Sequence, residues 1–335
     1  MSFLEDIVAK AKQESKTIVL PEGFDSRIPE AAALVSKSCC AKIVILGKKI
    51  DIEKVAPQID VASLENVICL DYLNSPNFSK YVQKFYEMRK AKGMTIEKAE
   101  DILKNPLYYG AMMVKEGEVD GMVAGAANSS GDTIKCSLLT VKMAPDVERM
   151  STCTILVLPN QKFGENGLLI FSDTAMYEIP NREEMCQIAL SSANFFEMLT
   201  GSKAKVGMLS YSTKGSAKSD SVTKVIEATE LAQQKNPELL IDGELQFDSA
   251  ISPAVANLKA KSSDLHGEAN VLIFPDLNSA NIACKVAENL VPAELYGPVS
   301  QGLAKPINDV SRAASASDIM GIIAITVIQA QNLKS

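Results

Sequence analysis

At 335 residues, 47% apolar and 22% charged, the chain has a globular composition and is long enough that its core is expected to split into two domains. A formal net charge of -7 excludes a general nucleic-acid binder, which neutralises phosphates with clustered Lys and Arg. It leaves room for a local basic pocket around a small anion.

The opening residues, MSFLEDIVAKAKQESK, carry Glu5 and Asp6 and lack a continuous apolar stretch, so no signal peptide is expected. Phe3, Leu4, Ile7, Val8 and Ala11 recur at helical spacing and predict an amphipathic helix. From Thr17 onward, short runs rich in β-branched residues alternate with helical patterns. TIVLPE, KIVILG, DGMVAG, TILVLP, LLIFSD, VGMLSYS and NVLIFPD read as strands. EEMCQIALSSANFFEML and DSVTKVIEATELAQQ read as helices, with apolar residues at i, i+3 and i+4. Strand, loop and helix in repeated succession indicate an α/β fold with largely parallel sheets. The apolar run Ile319 to Ile328 is about half a membrane span, so no membrane partner is expected.

In such folds ligands bind at loops leaving the carboxyl ends of strands. Here those loops are ANSSGDTIK, TAMYEIPNREE, TKGSAKSDS and LNSANI, rich in Ser, Thr, Asn and Gly and poor in carboxylates. That chemistry suits an anion. Ser129, Ser130 and Thr133 cluster at a strand-to-helix turn, where Gly131 lets backbone N–H groups approach a ligand and the helix start favours negative charge. Lys135 adds a full positive charge. The same residues also suit an ordinary tight βα turn. Lys214 in STKGS is placed to reach a phosphate or to be solvated, and Arg89 in YEMRKAKG fits a wet helix face. Asn181 and Glu184 in IPNREE have capping-box spacing.

Several chemistries are excluded. The single histidine, His266, lies in the polar stretch SSDLHGEAN and is not expected to be catalytic. H-E-x-x-H, a Cys/His zinc cluster, G-x-G-x-x-G and G-x-x-x-x-G-K-[ST] are all absent, so neither a metal, a kinase nor a nicotinamide dehydrogenase is supported by motif. The seven cysteines are odd in number and have no C-x-x-C spacing, which indicates reduced thiols and a cytoplasmic location. Near the C-terminus, PINDVSRAASASDIMGII sets Ser311, Arg312 and Asp318 before an apolar helix. Ser315 and Asp318 fit a cap, and Arg312 either ties down that carboxylate or serves chemistry.

FLEDIVAKAK, KTIVLPE, NPLYYGAMMVKEGEVDGMVAGA, MLSYSTKGSAKS, IDGELQFDSAI, ANVLIFPDLNSANIA and YGPVSQGLAKPINDVSR follow one another along nearly the whole chain. In this order they resemble the phosphate acetyltransferase (phosphotransacetylase) family. The resemblance implies interconversion of acetyl phosphate plus coenzyme A with acetyl-CoA plus phosphate. It implies two α/β domains with an interdomain active-site cleft, on a scaffold like isocitrate and isopropylmalate dehydrogenases. The first domain is then 1–146 plus 298–335, with 147–297 inserted as the second. It also implies a homodimer, CoA or acetyl-CoA as substrate, and no tightly bound cofactor.

Carried over by resemblance, the catalytic aspartate falls on Asp318, with Arg312 and Ser311 beside it. Ser129, Ser130 and Thr133 form the phosphate loop, and further basic positions fall on Arg89 and Arg27. Asp318 takes the coenzyme A thiol proton, the thiolate attacks the acetyl carbonyl, and phosphate leaves. Between an ordinary thiol and an ordinary aspartate that transfer is uphill by roughly 4.6 pKa units, about 6 kcal/mol. Desolvation raises a carboxylate's pKa and a neighbouring guanidinium lowers it, so the two act in opposition.

The chain departs from the family pattern at Lys135, where an arginine is common. Lysine keeps the charge and loses the bidentate fork. Ala313 and Ala314 stand where Gly and Cys are common, and Asn128 where a histidine is common. Rival readings are a butyryl or propionyl transferase on the same fold, a non-catalytic acyl-phosphate or CoA binder, and a dehydrogenase on the related scaffold.

Overall fold

The computed structural model describes residues 2–145 and 147–333. The chain divides into two compact units, Met1–Val147 with Leu303–Ser335, and Glu148–Gly302.

The first unit opens with α1 (Phe3–Ala11), β1 (Thr17–Leu20), α2 (Arg27–Ser38), β2 (Lys42–Leu46), α3 (Lys49–Val55) and β3 (Val67–Leu70). It continues through α4 (Phe78–Arg89), α5 (Ile96–Leu103), α6 (Pro106–Glu116), β4 (Gly121–Ala124) and α7 (Ser130–Thr140). The second unit holds β5 (Ser151–Val157), β6 (Leu168–Ser172), α8 (Arg182–Thr200), β7 (Lys205–Leu209), α9 (Asp220–Lys235) and β8 (Leu240–Leu245). The short helices α10 (Phe247–Ile251) and α11 (Pro253–Lys259) follow, then β9 (Val271–Ile273), α12 (Leu277–Leu290) and β10 (Glu294–Gln301). The chain returns to the first unit with β11 (Ile307–Asp309) and α13 (Ala316–Gln331).

The runs read as strands are β1, β2, β4, β5, β6, β7 and β9, and the two helical patterns are α8 and α9. The N-terminal pattern forms α1, which buries Ile7, Val8 and Ala11 and is closed by a Ser2–Glu5 capping box. The first sheet, in the order β11-β4-β1-β2-β3, is parallel throughout. Its central strands are buried on both faces and therefore read as unbroken apolar runs. Helices α6 and α7 pack on one set of strands and α13 on β4, β1 and β11, with α1 and α2 against it.

Helix α13 buries residues around its whole circumference, from Ile319 to Ala330, so it behaves as a core helix rather than a surface one. Its close approach to β4 needs Gly121, because a Cβ there would stand 2.7 Å from Thr326 Cγ2.

The second sheet runs β10-β5-β6-β9-β7-β8. Strands β6, β9, β7 and β8 are parallel, while β5 is antiparallel to both its neighbours. The reason is the β5–β6 connection, which turns on Gly164 and Gly167 at positive φ and holds no crossover helix. The core of this unit gathers Leu156, Leu169, Phe171, Leu209, Leu245, Leu272 and Phe274.

Candidate active site

Strands β11, β4 and β1 lie side by side and parallel, so their carboxyl-end loops are neighbours. The chain fills β2 and β3 on one side of β1, and β4 and β11 on the other. Loops diverge at such a reversal, which makes the β1/β4 junction the expected ligand crevice of this sheet.

Two charged side chains tie these loops together. Glu22, fully buried after β1, accepts from the backbone N–H groups of Ala126 (2.9 Å), Ala127 (2.9 Å) and Asn128 (2.8 Å). Asn128 also donates its side-chain Nδ2 to Glu22 at 2.7 Å. The asparagine at this departure from the family pattern is therefore a clamp on the β4 loop.

Arg27, the first residue of α2, grips Asp25 through Nε (2.9 Å) and Nη2 (2.7 Å). Its Nη1 donates to the carbonyls of Arg312 (2.7 Å) and Ala314 (2.9 Å), and Nη2 to that of Ala126 (2.7 Å). All five guanidinium N–H groups are thus committed to protein. The hydrogen bond from Arg27 holds the Asp25 carboxyl below the usual carboxylate range, against the opposing effect of burial.

We expect Arg27→Ala to lose about 2–4 kcal/mol of stability in urea unfolding, because it leaves three carbonyls unpaired and the Asp25 carboxylate with only the backbone N–H of residue 27. The Asp25 part of this difference is present above about pH 4, where the unfolded aspartate is also ionised. It fades as the pH falls through the lowered folded value.

Helix α7 begins with the Ser-rich loop. Ser129 is its N-cap, accepting from Asp132 N–H at 3.2 Å, and its hydroxyl donates to Asp132 Oδ2 at 2.6 Å. Ser130 and Gly131 occupy the first helical positions, where N–H groups have no intrahelical acceptor. Thr133 is buried, with its hydroxyl 3.4 Å from the Ser129 carbonyl. Ser130 donates its hydroxyl to Asp309 Oδ2. Lys135 is exposed and makes no hydrogen bond or ion pair among the described residues.

The β11–α13 loop carries the remaining groups. Ser311 Oγ accepts from Ala313 N–H at 3.2 Å, and Ala314 N–H bonds the Ser311 carbonyl at 2.8 Å, forming a tight turn. Ala313 is not among the residues with positive φ, so alanine in place of glycine brings no left-handed strain. The Arg312 guanidinium is exposed and has no hydrogen-bond or ion-pair partner among the described residues.

Asp318 sits at N3 of α13, where Oδ2 accepts from Ser315 N–H (2.8 Å) and from Ser315 Oγ (2.7 Å). Its other oxygen, Oδ1, accepts no hydrogen bond among the described residues. The cap therefore uses one face of the carboxylate and leaves the other free.

Asp309, at the end of β11, is a site residue that sequence reasoning missed. It is 3% exposed, and burial pushes its carboxyl up to about 7. The Ser130 and Thr133 hydroxyls pull it down, Glu22 pushes it up, and Arg312 pulls it down. Asp309 follows only Ile307 and Asn308 in its strand, too brief a stretch to read as a strand from sequence.

The loops of one sheet thus gather Arg27, Ser129, Ser130, Thr133, Lys135, Ser311, Arg312 and Asp318. Arg89, also in this unit, ends α4 half-buried, and no hydrogen bond among the described residues joins it to these loops. Lys214 belongs to the second unit, where it pairs with Asp242 and donates to the Gly243 carbonyl at 3.2 Å. Among the described residues no cluster of three or more His, Cys, Asp or Glu is placed to hold a metal ion.

These loops carry two cations, Lys135 and Arg312, without hydrogen-bond or ion-pair partners among the described residues, several hydroxyls at the start of α7, and an Asp318 oxygen that accepts no hydrogen bond among them. A sequence family described as "Phosphate acetyl/butaryl transferase" matches residues 2–327. The chain belongs to this family. It is similar to the phosphate acetyltransferase of Acetivibrio thermocellus, 51% identical over 335 residues and 100% of both chains. It is also similar to that of Thermoanaerobacterium thermosaccharolyticum, at 45% identity over 99% of this chain and 100% of the relative. Among solved structures, a phosphotransacetylase from Streptococcus pyogenes superposes with a TM-score of 0.90 at 37% identity, covering 99% of each chain. Membership makes the chain an acyltransferase.

Proposed function

We propose that this chain is a phosphate acetyltransferase, interconverting acetyl phosphate plus CoA with acetyl-CoA plus phosphate by direct thiolate attack in a ternary complex. The observation that carries the reading is the content of one loop and helix start. Among the described residues Arg312 is a guanidinium without a hydrogen-bond or ion-pair partner, and Asp318 is a carboxylate with one oxygen that accepts no hydrogen bond.

In this reading Asp318 Oδ1 removes the proton from the CoA thiol. The sulfur electron pair forms the bond to the acetyl carbonyl carbon, and the carbon–oxygen bond to phosphate breaks with its electrons on the leaving group. Arg312 and Ser311 stabilise the oxyanion or the phosphate as charge develops. Ser129, Ser130, Thr133 and Lys135 hold the phosphate at the start of α7, with Arg89 as a further basic contact. Arg27 serves the same site by holding the loops that carry Ala126, Arg312 and Ala314. CoA enters as substrate, and no resident cofactor is invoked.

The scaffold is of the isocitrate and isopropylmalate dehydrogenase kind, and the enzyme works in the cytoplasm as a homodimer. Seven free cysteines support the reducing compartment. The apolar face of α12 in the second unit supports self-association: Ile282, Val286 and Leu290 recur at helical spacing and are 61%, 50% and 78% exposed.

Thioester absorbance with acetyl phosphate and CoA tests the function, repeated with butyryl phosphate. We expect rapid thioester formation from acetyl phosphate and a slower rate from butyryl phosphate. A faster butyryl rate would make the chain a butyryltransferase, and no thioester from either would make it a binder. Pocket fit separates such substrates by only about 1–3 kcal/mol per methylene, so the rate ratio is the informative quantity.

A further inference from the structure

The proposed chemistry leaves Asp309 unused, although it lies at the centre of the three loops. It ends β11 and is 3% exposed. One carboxylate oxygen, Oδ2, is bonded to Ser130, while the other, Oδ1, is buried with no hydrogen-bond partner among the described residues. The β4 loop closes directly over that oxygen, since a Cβ on Gly125 would stand 2.2 Å from Oδ1, and Gly125 has φ +106. This carboxyl is therefore fixed in place, hydrogen-bonded to Ser130 and with the Thr133 hydroxyl also acting on it.

A serine hydroxyl has one hydrogen. When Asp309 is ionised, that hydrogen is committed to Oδ2, and Ser130 presents only lone pairs to an anion in front of α7. When Asp309 carries a proton on Oδ2, the acid donates to Ser130 Oγ instead. The Ser130 hydrogen is then free to be donated to a phosphoryl oxygen.

We propose that Asp309 is a positioning residue whose protonated form turns the Ser130 hydroxyl toward the phosphoryl group, so that binding of acetyl phosphate takes up a proton at this carboxyl. The inference rests on the assignment of Ser130 as a phosphate ligand. The proton comes from solvent and returns to it when the anion leaves, so the overall reaction is unchanged.

The groups facing Asp309 bear this out from each element. Glu22, from the β1 loop, raises its pKa, and so disfavours the ionised form. Arg312, from the loop after its own strand, lowers it, as do Ser130 and Thr133 of α7. The β4 loop contributes Gly125 and no charge. The net result of burial and these neighbours is a carboxyl raised to about 7, a group that exchanges its proton at neutral pH. A second negative charge arriving at Ser130 raises it further. Affinity is therefore full below about pH 7 and falls as the pH rises above it, approaching about tenfold per pH unit.

The test is acetyl phosphate binding to the full chain without CoA, by calorimetry from about pH 6 to 8.5, in buffers of different ionisation enthalpy. The wild-type chain should take up close to one proton on binding above pH 7 and lose affinity with the stated slope. Asp309→Asn, whose amide donates to Ser130 at every pH, should lose the proton uptake and flatten the slope. The ligand's own titration cancels between the two chains. Ser130→Ala should weaken binding at pH 6 by about five- to tenfold.

If Asp309→Asn keeps the wild-type slope while Ser130→Ala still weakens binding, the inference falls and the phosphate site stands. If Ser130→Ala binds normally, the assignment of Ser130 falls and takes the inference with it. Should Asp309→Asn fail to fold, the wild-type measurement decides alone, because binding without proton uptake at about pH 7.5 overturns the proposal.

Discussion

Asp318→Asn is expected to lower kcat by about 10²–10⁴-fold while leaving KM for acetyl phosphate and CoA within a factor of about three. The argument starts from the two oxygens. Oδ2 is the acceptor of the capping box, receiving the N–H and the hydroxyl of Ser315. Oδ1 accepts nothing among the described residues, and it is the atom assigned to the thiol proton. An asparagine offers one oxygen for the cap and no basic lone pair for proton transfer. The helix start therefore survives, with an expected stability change of about 1 kcal/mol or less, while the proton acceptor is lost. Steady-state kinetics with both substrates, beside urea unfolding, separates the two effects. Near-wild-type turnover would remove Asp318 as the base, and a collapse of stability would make it an architectural residue.

The second large effect concerns Arg312. Arg312→Gln should cost about 10²–10³-fold in kcat/KM, with a change in stability of about 0.5 kcal/mol or less. Its guanidinium is exposed and bonds no described residue, so its removal takes away only its electrostatic pull on the buried Asp309. Arg312→Lys should recover only part of the activity, because a lysine cannot present the bidentate fork to a phosphoryl or carbonyl oxygen. The comparison with Arg27→Ala is decisive. Both arginines belong to the same loops, yet the guanidinium of Arg27 is saturated by protein hydrogen bonds and that of Arg312 makes none among the described residues. If Arg312→Gln unfolds the chain while Arg27→Ala only slows it, the assignment of roles is reversed.

Much of this was legible beforehand. The apolar runs of β1, β2 and β4 are buried from both sides, and so survive as uninterrupted patterns that any reader of the sequence meets. The Ser315–Asp318 and Asn181–Glu184 caps are local, three residues apart, and appear as their spacing predicts. The edge strand β3 is an apolar run of the same kind, Val67–Leu70, which the reading of the sequence did not single out, and β11 is only Ile307–Asp309, shorter than the window in which alternation is visible.

The sequence alone determined seven of the strands, the helices α1, α8 and α9, the parallel character of most of the sheet, and the family, because each is written in short-range pattern or in the order of segments. Only the tertiary structure decided which charged groups are free. Arg27 meets the Arg312 carbonyl across a separation of 285 residues, and Ser130 meets Asp309 across 179. Saturation of a guanidinium, burial of a carboxyl and the direction in which a hydroxyl points are properties of such distant encounters, and no local periodicity carries them.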